Sequence, residues 1–217
     1  MIVQPGRPAR AVTVEPHGLA ALLAVPEDAL GVVIFAHGSG SGRLSPRNNH
    51  VADALHRAGL ATLLLDLLTP AEEADRANVF DIPLLASRLK AAARWVGWLP
   101  ELAGLPIGYF GASTGGGAAL LAAADPHPLV AAVVSRGGRP DLAGVEALEQ
   151  VRAPTLLIVG ALDLPVIDLN RIALSHLRTE KRLVIVPGAH HLFEEPGTMD
   201  LVVVHAIGWF RRHMERE

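Results

Sequence analysis

The sequence contains no cysteine and few aromatic residues, with one Tyr, three Trp and five Phe among its 217 positions. The missing cysteines exclude disulfides, thiolate metal sites and a cysteine nucleophile. The scarcity of aromatic side chains argues against a broad aromatic acyl-binding groove. We therefore expect any substrate to be small or to carry a short acyl chain.

Excess charge and long apolar runs are also missing. The net charge is -3, and the arginines are scattered rather than clustered, so no nucleic-acid-binding surface is indicated. The longest apolar stretches, LATLLLDLL and LVVVHAIGWF, are far shorter than the ~20 residues of a membrane helix. The N-terminal residues contain no apolar core of signal-peptide length. The sequence thus predicts a cytoplasmic protein with neither a nucleic-acid nor a membrane partner.

Half of the residues are hydrophobic and the mean hydropathy is +0.33, which is enough to build a sizeable core. No internal repeat or long linker divides the chain. We expect a single domain over residues 1–217.

The order of the predicted elements indicates the fold class. Two short strands at 11–15 and 19–25 predict a hairpin, and apolar runs then alternate with amphipathic segments. Further strands, some with their following loops, are predicted at 31–38, 60–66, 105–113, 129–138, 153–163 and 182–191. Helices are predicted at 45–59, 81–99, 114–124, 168–177 and 197–213. This alternation predicts an α/β fold with a mostly parallel sheet, helices on both faces and no large lid domain.

One serine stands at the end of a predicted strand, where ligands bind in parallel sheets. Gly111-Ala112-Ser113-Thr114-Gly115 fits the pattern G-x-S-x-G between a strand and a helix. Small residues allow a tight, strained turn that exposes the Ser113 hydroxyl. A Gly-rich turn of this kind could instead hold a phosphate, although neither the Walker pattern nor G-x-G-x-x-G is present.

A nucleophilic serine needs a base and an acid that orients the base. Asp163 and His191 follow later strands in the order Ser, Asp, His that α/β-hydrolases use. Asp66 and Asp168 are rivals for the acid, but Asp168 is interpreted as the N-cap of the next helix.

The remaining histidines and the oxyanion hole complete the predicted site. His190 is adjacent to His191, and His37 is expected to be a structural, hydrogen-bonding residue. The spacing of the two neighbouring histidines supports no metal site. The amides of Ser39 and Thr114 are predicted to form the oxyanion hole.

Four motifs together resemble a known family. FAHGSGSG, GASTGGG, VGALDLPV and GAHHLFEEPG resemble the dienelactone-hydrolase-like group of the α/β-hydrolase superfamily, and also hydrolase domains that are fused to phosphoribosyltransferases. The resemblance spans about residues 18–213 and implies that the base is the histidine before Leu-Phe, His191. Dienelactone hydrolases proper use a cysteine, so the serine here points to a generic carboxylesterase. The resemblance implies no cofactor or metal.

The substrate side is less specific in the sequence. Arg136 and Arg139 follow a strand at the edge that carries the site, and one of them could pair with an anionic group of the substrate. Asp66 is interpreted as a pocket or structural residue. The alternative is that these arginines, with Arg43 and Arg47, bind Asp66, Asp141 or loop carbonyls.

These residues predict a serine hydrolase that cleaves small carboxylic esters or lactones through an acyl-enzyme on Ser113. Two alternatives remain open from the sequence. The same triad could serve an acyltransferase or perhydrolase, or the fold could be a hydrolase-like scaffold that binds a ligand without turnover. The oligomeric state is undetermined: a homodimer stays open, although no sequence feature argues for one.

Overall fold

The computed structural model describes residues 9–215. Its centre is an eight-stranded sheet in the order β1-β2-β4-β3-β5-β6-β7-β8. The strands are β1 Arg10–Val14, β2 Leu19–Ala24, β3 Val32–Ala36, β4 Ala61–Leu65, β5 Ile107–Ala112, β6 Ala132–Arg136, β7 Thr155–Gly160 and β8 Lys181–Val186. The first two strands form the predicted antiparallel hairpin, and β2 also pairs antiparallel with β4. All other neighbours are parallel, so the prediction of a mostly parallel sheet is confirmed.

Helices cover both faces of the sheet. They are α1 Pro46–Arg57, α2 Pro70–Glu73, α3 Arg76–Val79, α4 Ile82–Gly97, α5 Thr114–Ala123, α6 Val145–Gln150, α7 Leu164–His176 and α8 Thr198–Met214, with a 3-10 helix at Pro140–Ala143. One buried apolar cluster joins the sheet to α4, α5 and α7, and a second joins the opposite face to α1 and α8. Burying both faces explains why the central strands are apolar throughout.

Two of the predicted helices begin with a short polar capping residue. The Ser45 side chain accepts a hydrogen bond from the amide of Asn48 at 3.4 Å, and Pro46 is the first helical residue of α1. The Asp81 side chain accepts from the amide of Leu84 at 2.9 Å at the start of α4. These short polar side chains satisfy amides that have no acceptor within the helix.

The predicted start of α7 is wrong. The helix begins at Leu164, and proline occupies its first turn, where its fixed φ favours helix initiation. Asp168 therefore lies inside the helix rather than at its N-cap, and its 72% exposed side chain pairs with Arg171 at 3.3 Å.

The short helices α2, α3 and α6 and the 3-10 helix were not predicted. Segments of four to six residues are too short for a helical period to emerge from the apolar pattern. A local signal did exist for α2, because Thr69 and Glu72 form a capping box.

The lengths and hydropathy of the helices also bear on membrane insertion. No helix within residues 9–215 combines the length and the apolar character needed to cross a bilayer.

Candidate active site

Ser113 lies at the junction of β5 and α5 in a strained backbone conformation, with φ 52° and ψ -123°. A non-glycine residue seldom adopts positive φ, and such strain concentrates at functional sites. Two glycines make the junction fit. A Cβ at Gly111 would lie 2.5 Å from the carbonyl oxygen of Gly115, and one at Gly115 would lie 2.1 Å from that of Ala36. The absence of a side chain at Gly111 thus lets the first turn of α5 pack against β5. The absence of one at Gly115 lets the end of β3 pack against α5.

The three predicted triad residues meet at the carboxyl ends of β5, β7 and β8. The Nδ1 atom of His191 is 2.6 Å from Oδ2 of Asp163, and its Nε2 atom is 3.3 Å from Oγ of Ser113. The Asp163 side chain is 13% exposed and that of His191 is 37% exposed. When Nδ1 donates to Asp163, Nε2 is left to accept the Ser113 proton, as general-base activation requires.

The loop that carries His191 is held from several sides. The neighbouring His190 is held within this loop, because its Nδ1 lies 2.5 Å from Oε1 of Glu195. That hydrogen bond lowers the pKa of the Glu195 carboxyl, because it stabilises the charged form. Phe193 reverses the loop with φ 55° and is buried in the core on the α8 side.

Two glycines bring this loop close to the sheet, and sequence reasoning missed both roles. A Cβ at Gly160 would lie 2.4 Å from the carbonyl oxygen of Ala189, and a Cβ at Gly137 would lie 3.1 Å from that of His191. The available signal was a glycine at the end of a buried strand, which often marks a close backbone approach.

The residues predicted for the oxyanion hole lie beside Ser113. A Cβ at Gly38 would be 2.9 Å from Cβ of Ser113, so the loop after β3 touches the nucleophile. The Ser39 amide donates a hydrogen bond to Oγ1 of Thr114 at 3.0 Å. The Thr114 amide opens α5, where first-turn amides have no intrahelical acceptor.

His37 is a structural residue in this loop, as predicted. Its Nδ1 lies 3.0 Å from the carbonyl oxygen of Gly38, and its Nε2 accepts from the Leu67 amide at 3.0 Å. The ring therefore ties the predicted oxyanion loop, residues 37–45 between β3 and α1, to the end of β4.

A cavity of about 180 Å³ opens next to the oxyanion loop. Its lining is formed by residues 37–44 together with Asp66, Leu68, Glu73, Val79 and Leu85. Asp66 forms an ion pair with Arg43 and also accepts from the Arg43 amide at 2.6 Å. Asp66 thus lines the cavity as a paired carboxylate and shapes its loop.

The predicted arginines have different surroundings. Arg139 pairs with Asp141 through two hydrogen bonds of 2.8 and 2.7 Å, and Arg47 pairs with Glu194 at 2.8 Å. Arg139 thus follows the alternative in which it binds Asp141, whereas the partner of Arg47 is a carboxylate that the sequence did not suggest.

Arg136 is the exception. It is only 7% exposed, and it has no carboxylate partner within residues 9–215, while its guanidinium lies 5.8 Å from the centre of the Phe193 ring. Burial, with a contribution from the nearby Arg47 charge, lowers the pKa of Arg136 to about 10.

Across residues 9–215, no group of three or more His, Asp or Glu side chains is arranged to hold a metal ion. The groups that meet at this site are the side chains of Ser113, His191 and Asp163 and the neighbouring amides.

Known proteins resemble this chain in sequence and in fold. Two curated proteins from two strains of Mycobacterium tuberculosis, whose names propose a phosphoribosyl transferase, are 58% identical over 203 residues. The match covers 94% of this chain but 46% of each relative, so the chain spans about half of their length.

Solved structures are similar over nearly the whole chain. The crystal structure of a dienelactone hydrolase from Anabaena variabilis shares 56% identity and a TM-score of 0.91, covering 97% of this chain and 99% of that one. Est1E from Butyrivibrio proteoclasticus has the same fold, with a TM-score of 0.81 at 15% identity, covering 97% of this chain and 100% of that one. Residues 19–206 match the model of the dienelactone hydrolase family. The chain has the α/β-hydrolase fold of hydrolytic enzymes and belongs to the dienelactone hydrolase family.

Proposed function

We propose that this protein is a serine hydrolase that cleaves small carboxylic esters or lactones through an acyl-enzyme on Ser113. The observation that carries the proposal is the continuous hydrogen-bonded chain from Asp163 through His191 to Ser113, at 2.6 and 3.3 Å. The strained backbone of Ser113 supports it, because this conformation presents the hydroxyl to a bound ligand.

The reaction follows from these positions. The Ser113 oxygen attacks the carbonyl carbon while Nε2 of His191 accepts the hydroxyl proton. The tetrahedral intermediate collapses, the bond to the leaving alcohol breaks, and His191 returns the proton to that alcohol. In a lactone the alcohol stays attached to the acyl group. Water then attacks the acyl-enzyme with His191 as the base, releasing the acid and restoring Ser113.

Asp163 has two tasks in this scheme. It holds the imidazole with the proton on Nδ1, and it stabilises the imidazolium that forms at each step. Its low exposure strengthens this electrostatic effect, because charges interact more strongly away from water.

The cavity beside the oxyanion loop supports a small substrate. Its volume of about 180 Å³ is below the ~300–1,000 Å³ of typical drug-sized ligand sites. Leu68, Val79 and Leu85 supply apolar lining, which suits a short acyl chain.

The first test is intact-mass spectrometry after incubation with a fluorophosphonate. We expect one covalent adduct on the wild type and none on Ser113→Ala. A folded wild type that never reacts would overturn the proposal and favour a ligand-binding scaffold without turnover. If the wild type does react, product analysis with a competing alcohol or peroxide separates hydrolysis from acyl transfer.

A second variant pair tests the acid. Asp163→Asn should lower kcat for a 4-nitrophenyl ester by about 10⁴-fold, because an amide stabilises neither the required tautomer nor the imidazolium. Asp168→Asn is the matched control, since Asp168 is exposed on α7 and pairs with Arg171. Equal activity of the two variants would contradict the role given to Asp163.

A further inference from the structure

The Ser39 amide, which we expected to bind the oxyanion directly, already has an acceptor. Its N–H donates to Oγ1 of Thr114 at 3.0 Å. An amide carries a single hydrogen, so this bond competes with any bond that Ser39 could make to the substrate.

The Thr114 hydroxyl is positioned to donate a hydrogen bond to the oxyanion in place of the Ser39 amide. Thr114 is 6% exposed and directly follows the nucleophile in the chain. The loop that supplies Ser39 touches Ser113, because a Cβ at Gly38 would lie 2.9 Å from Cβ of Ser113. Oγ1 therefore lies where the nucleophile and the oxyanion loop converge.

The hydroxyl also has a hydrogen to donate. A threonine hydroxyl can accept two hydrogen bonds and donate one. Oγ1 accepts from Ser39, and within residues 9–215 its own O–H has no acceptor. That hydrogen is free to rotate towards a negative charge that develops beside Ser113.

We propose that the Thr114 side-chain hydroxyl is a catalytic oxyanion donor, polarised by the hydrogen bond it receives from the Ser39 amide. When Ser113 attacks, Oγ1 donates its hydrogen bond to the oxyanion while it continues to accept from Ser39. No proton is transferred along this path. Hydrogen bonds in such a chain strengthen one another, so the Ser39 amide contributes to the oxyanion hole through Thr114. The Thr114 amide is the second donor.

This inference rests on the serine hydrolase proposed above. The test compares Thr114→Val, which removes the hydroxyl at nearly constant shape, with Thr114→Ser, which keeps it. We expect kcat for a 4-nitrophenyl ester to fall by about 10²-fold or more in the valine variant, the usual effect of losing one oxyanion donor. The serine variant should stay within a few fold of the wild type.

A second readout separates donation from a structural role of the same hydroxyl. Each variant is also assayed with a thionoester, in which sulfur replaces the carbonyl oxygen and accepts hydrogen bonds weakly. Loss of an oxyanion donor should therefore reduce the wild-type preference for the ester over the thionoester. Loss of loop positioning alone would slow both substrates equally and would overturn the proposal.

Thr155→Val is the matched control for the substitution itself. Thr155 is fully buried at the opposite end of β7 from Asp163, and its hydroxyl donates to the carbonyl of Ala153 at 2.9 Å. Its kcat and its ester preference should equal those of the wild type. Should Thr114→Val fail to fold, Thr114→Ala removes the same hydroxyl without adding a methyl group.

The outcomes distinguish the two proposals. A wild type that does not react with the fluorophosphonate overturns the serine hydrolase and this inference together. A reactive wild type whose Thr114→Val variant keeps or raises kcat overturns only the inference. That result would mean that the threonine hydroxyl only accepts the hydrogen bond of the Ser39 amide, and that this bond must break before the amide can bind the oxyanion.

Discussion

At the scale of single residues, Arg136 stands out because its charge is buried without a carboxylate partner in the described part of the chain. An uncompensated buried charge is costly to the fold, so a residue that keeps one needs a reason. Arg139 has no such anomaly, since it binds Asp141 through two hydrogen bonds. The two arginines were equal candidates for substrate binding in the sequence, and their surroundings now favour Arg136.

We predict that Arg136→Met lowers kcat/KM for an ester with a free carboxylate by about tenfold more than for a neutral ester of equal length. A hydrogen bond to a charged group contributes about 1.5–3 kcal/mol, which is consistent with this factor. Arg139→Met is the matched control and should change both substrates equally. An equal loss on both esters in Arg136→Met would instead assign this residue to supporting Phe193 and the histidine loop.

At the scale of elements, the contact between the end of β7 and the histidine loop sets the geometry of the triad. Asp163 follows β7 and His191 follows β8, and the two strands are parallel neighbours. Gly160 allows the loop to pack against the strand, because a Cβ there would lie 2.4 Å from the carbonyl oxygen of Ala189. The bond between Asp163 and His191 depends on this approach.

Gly160→Ala should therefore lower kcat by about 10²-fold, since displacing a catalytic group by about 1 Å has an effect of that size. Steady-state kinetics and thermal unfolding would be measured together. Gly208→Ala is the control, because Gly208 is exposed in α8 with nothing within 4 Å of an added Cβ. It should raise the free energy of unfolding by about 1 kcal/mol through helix propensity and leave kcat unchanged. Wild-type kcat in Gly160→Ala would refute the packing argument.

At the scale of the whole molecule, stability should depend on pH through partly buried histidines. Burial lowers the pKa of His56, His205 and His213 below the ordinary value of 6.5, because a poorly hydrated imidazolium is disfavoured. The unfolded chain then binds more protons than the folded one in the window just below pH 6.5. The free energy of unfolding must fall as the pH falls through that window.

We expect the thermal unfolding temperature to fall between pH 7 and pH 5, with a shallower slope in His213→Gln. The His213 ring is 11% exposed and lies 4.7 Å from that of Trp209. His17→Gln, in the exposed turn of the first hairpin, should keep the wild-type slope. A flat profile from pH 7 to 5 would contradict this role of the histidines.

A second decline in stability is expected at lower pH. Hydrogen bonds lower the pKa of Glu72 and Asp125, so stability is lost as these carboxylates are protonated.

The extent of the whole protein is a separate matter. The curated relatives are about twice as long as the matched region, so the expectation of a single domain stays a prediction, as does the cytoplasmic location. The proposed ester chemistry concerns the region that matches the dienelactone hydrolase family at residues 19–206.

Much of the fold and the position of the serine followed from the sequence alone. Apolar runs, capping residues and turn glycines are local signals, so the hairpin, the parallel strands and the turn at Ser113 could be predicted from residues that are neighbours in the chain. The order of Ser113, Asp163 and His191 along the sequence suggested the triad, and the resemblance favoured His191 over His190. The short helices and the start of α7 were not predicted, because a segment of a few residues shows too little periodicity in its apolar pattern.

Only the tertiary structure decided which groups touch. Ser39 and Thr114 are 75 positions apart, and nothing in either motif indicates that the amide of one bonds the hydroxyl of the other. The sequence offered Asp66 as one of several partners for Arg43, and the structure shows that pairing. Nothing in the motifs indicated that Arg136 would have no carboxylate partner within residues 9–215. These contacts depend on where loops from different strands converge, and that convergence is set by the packing of the whole sheet and its helices.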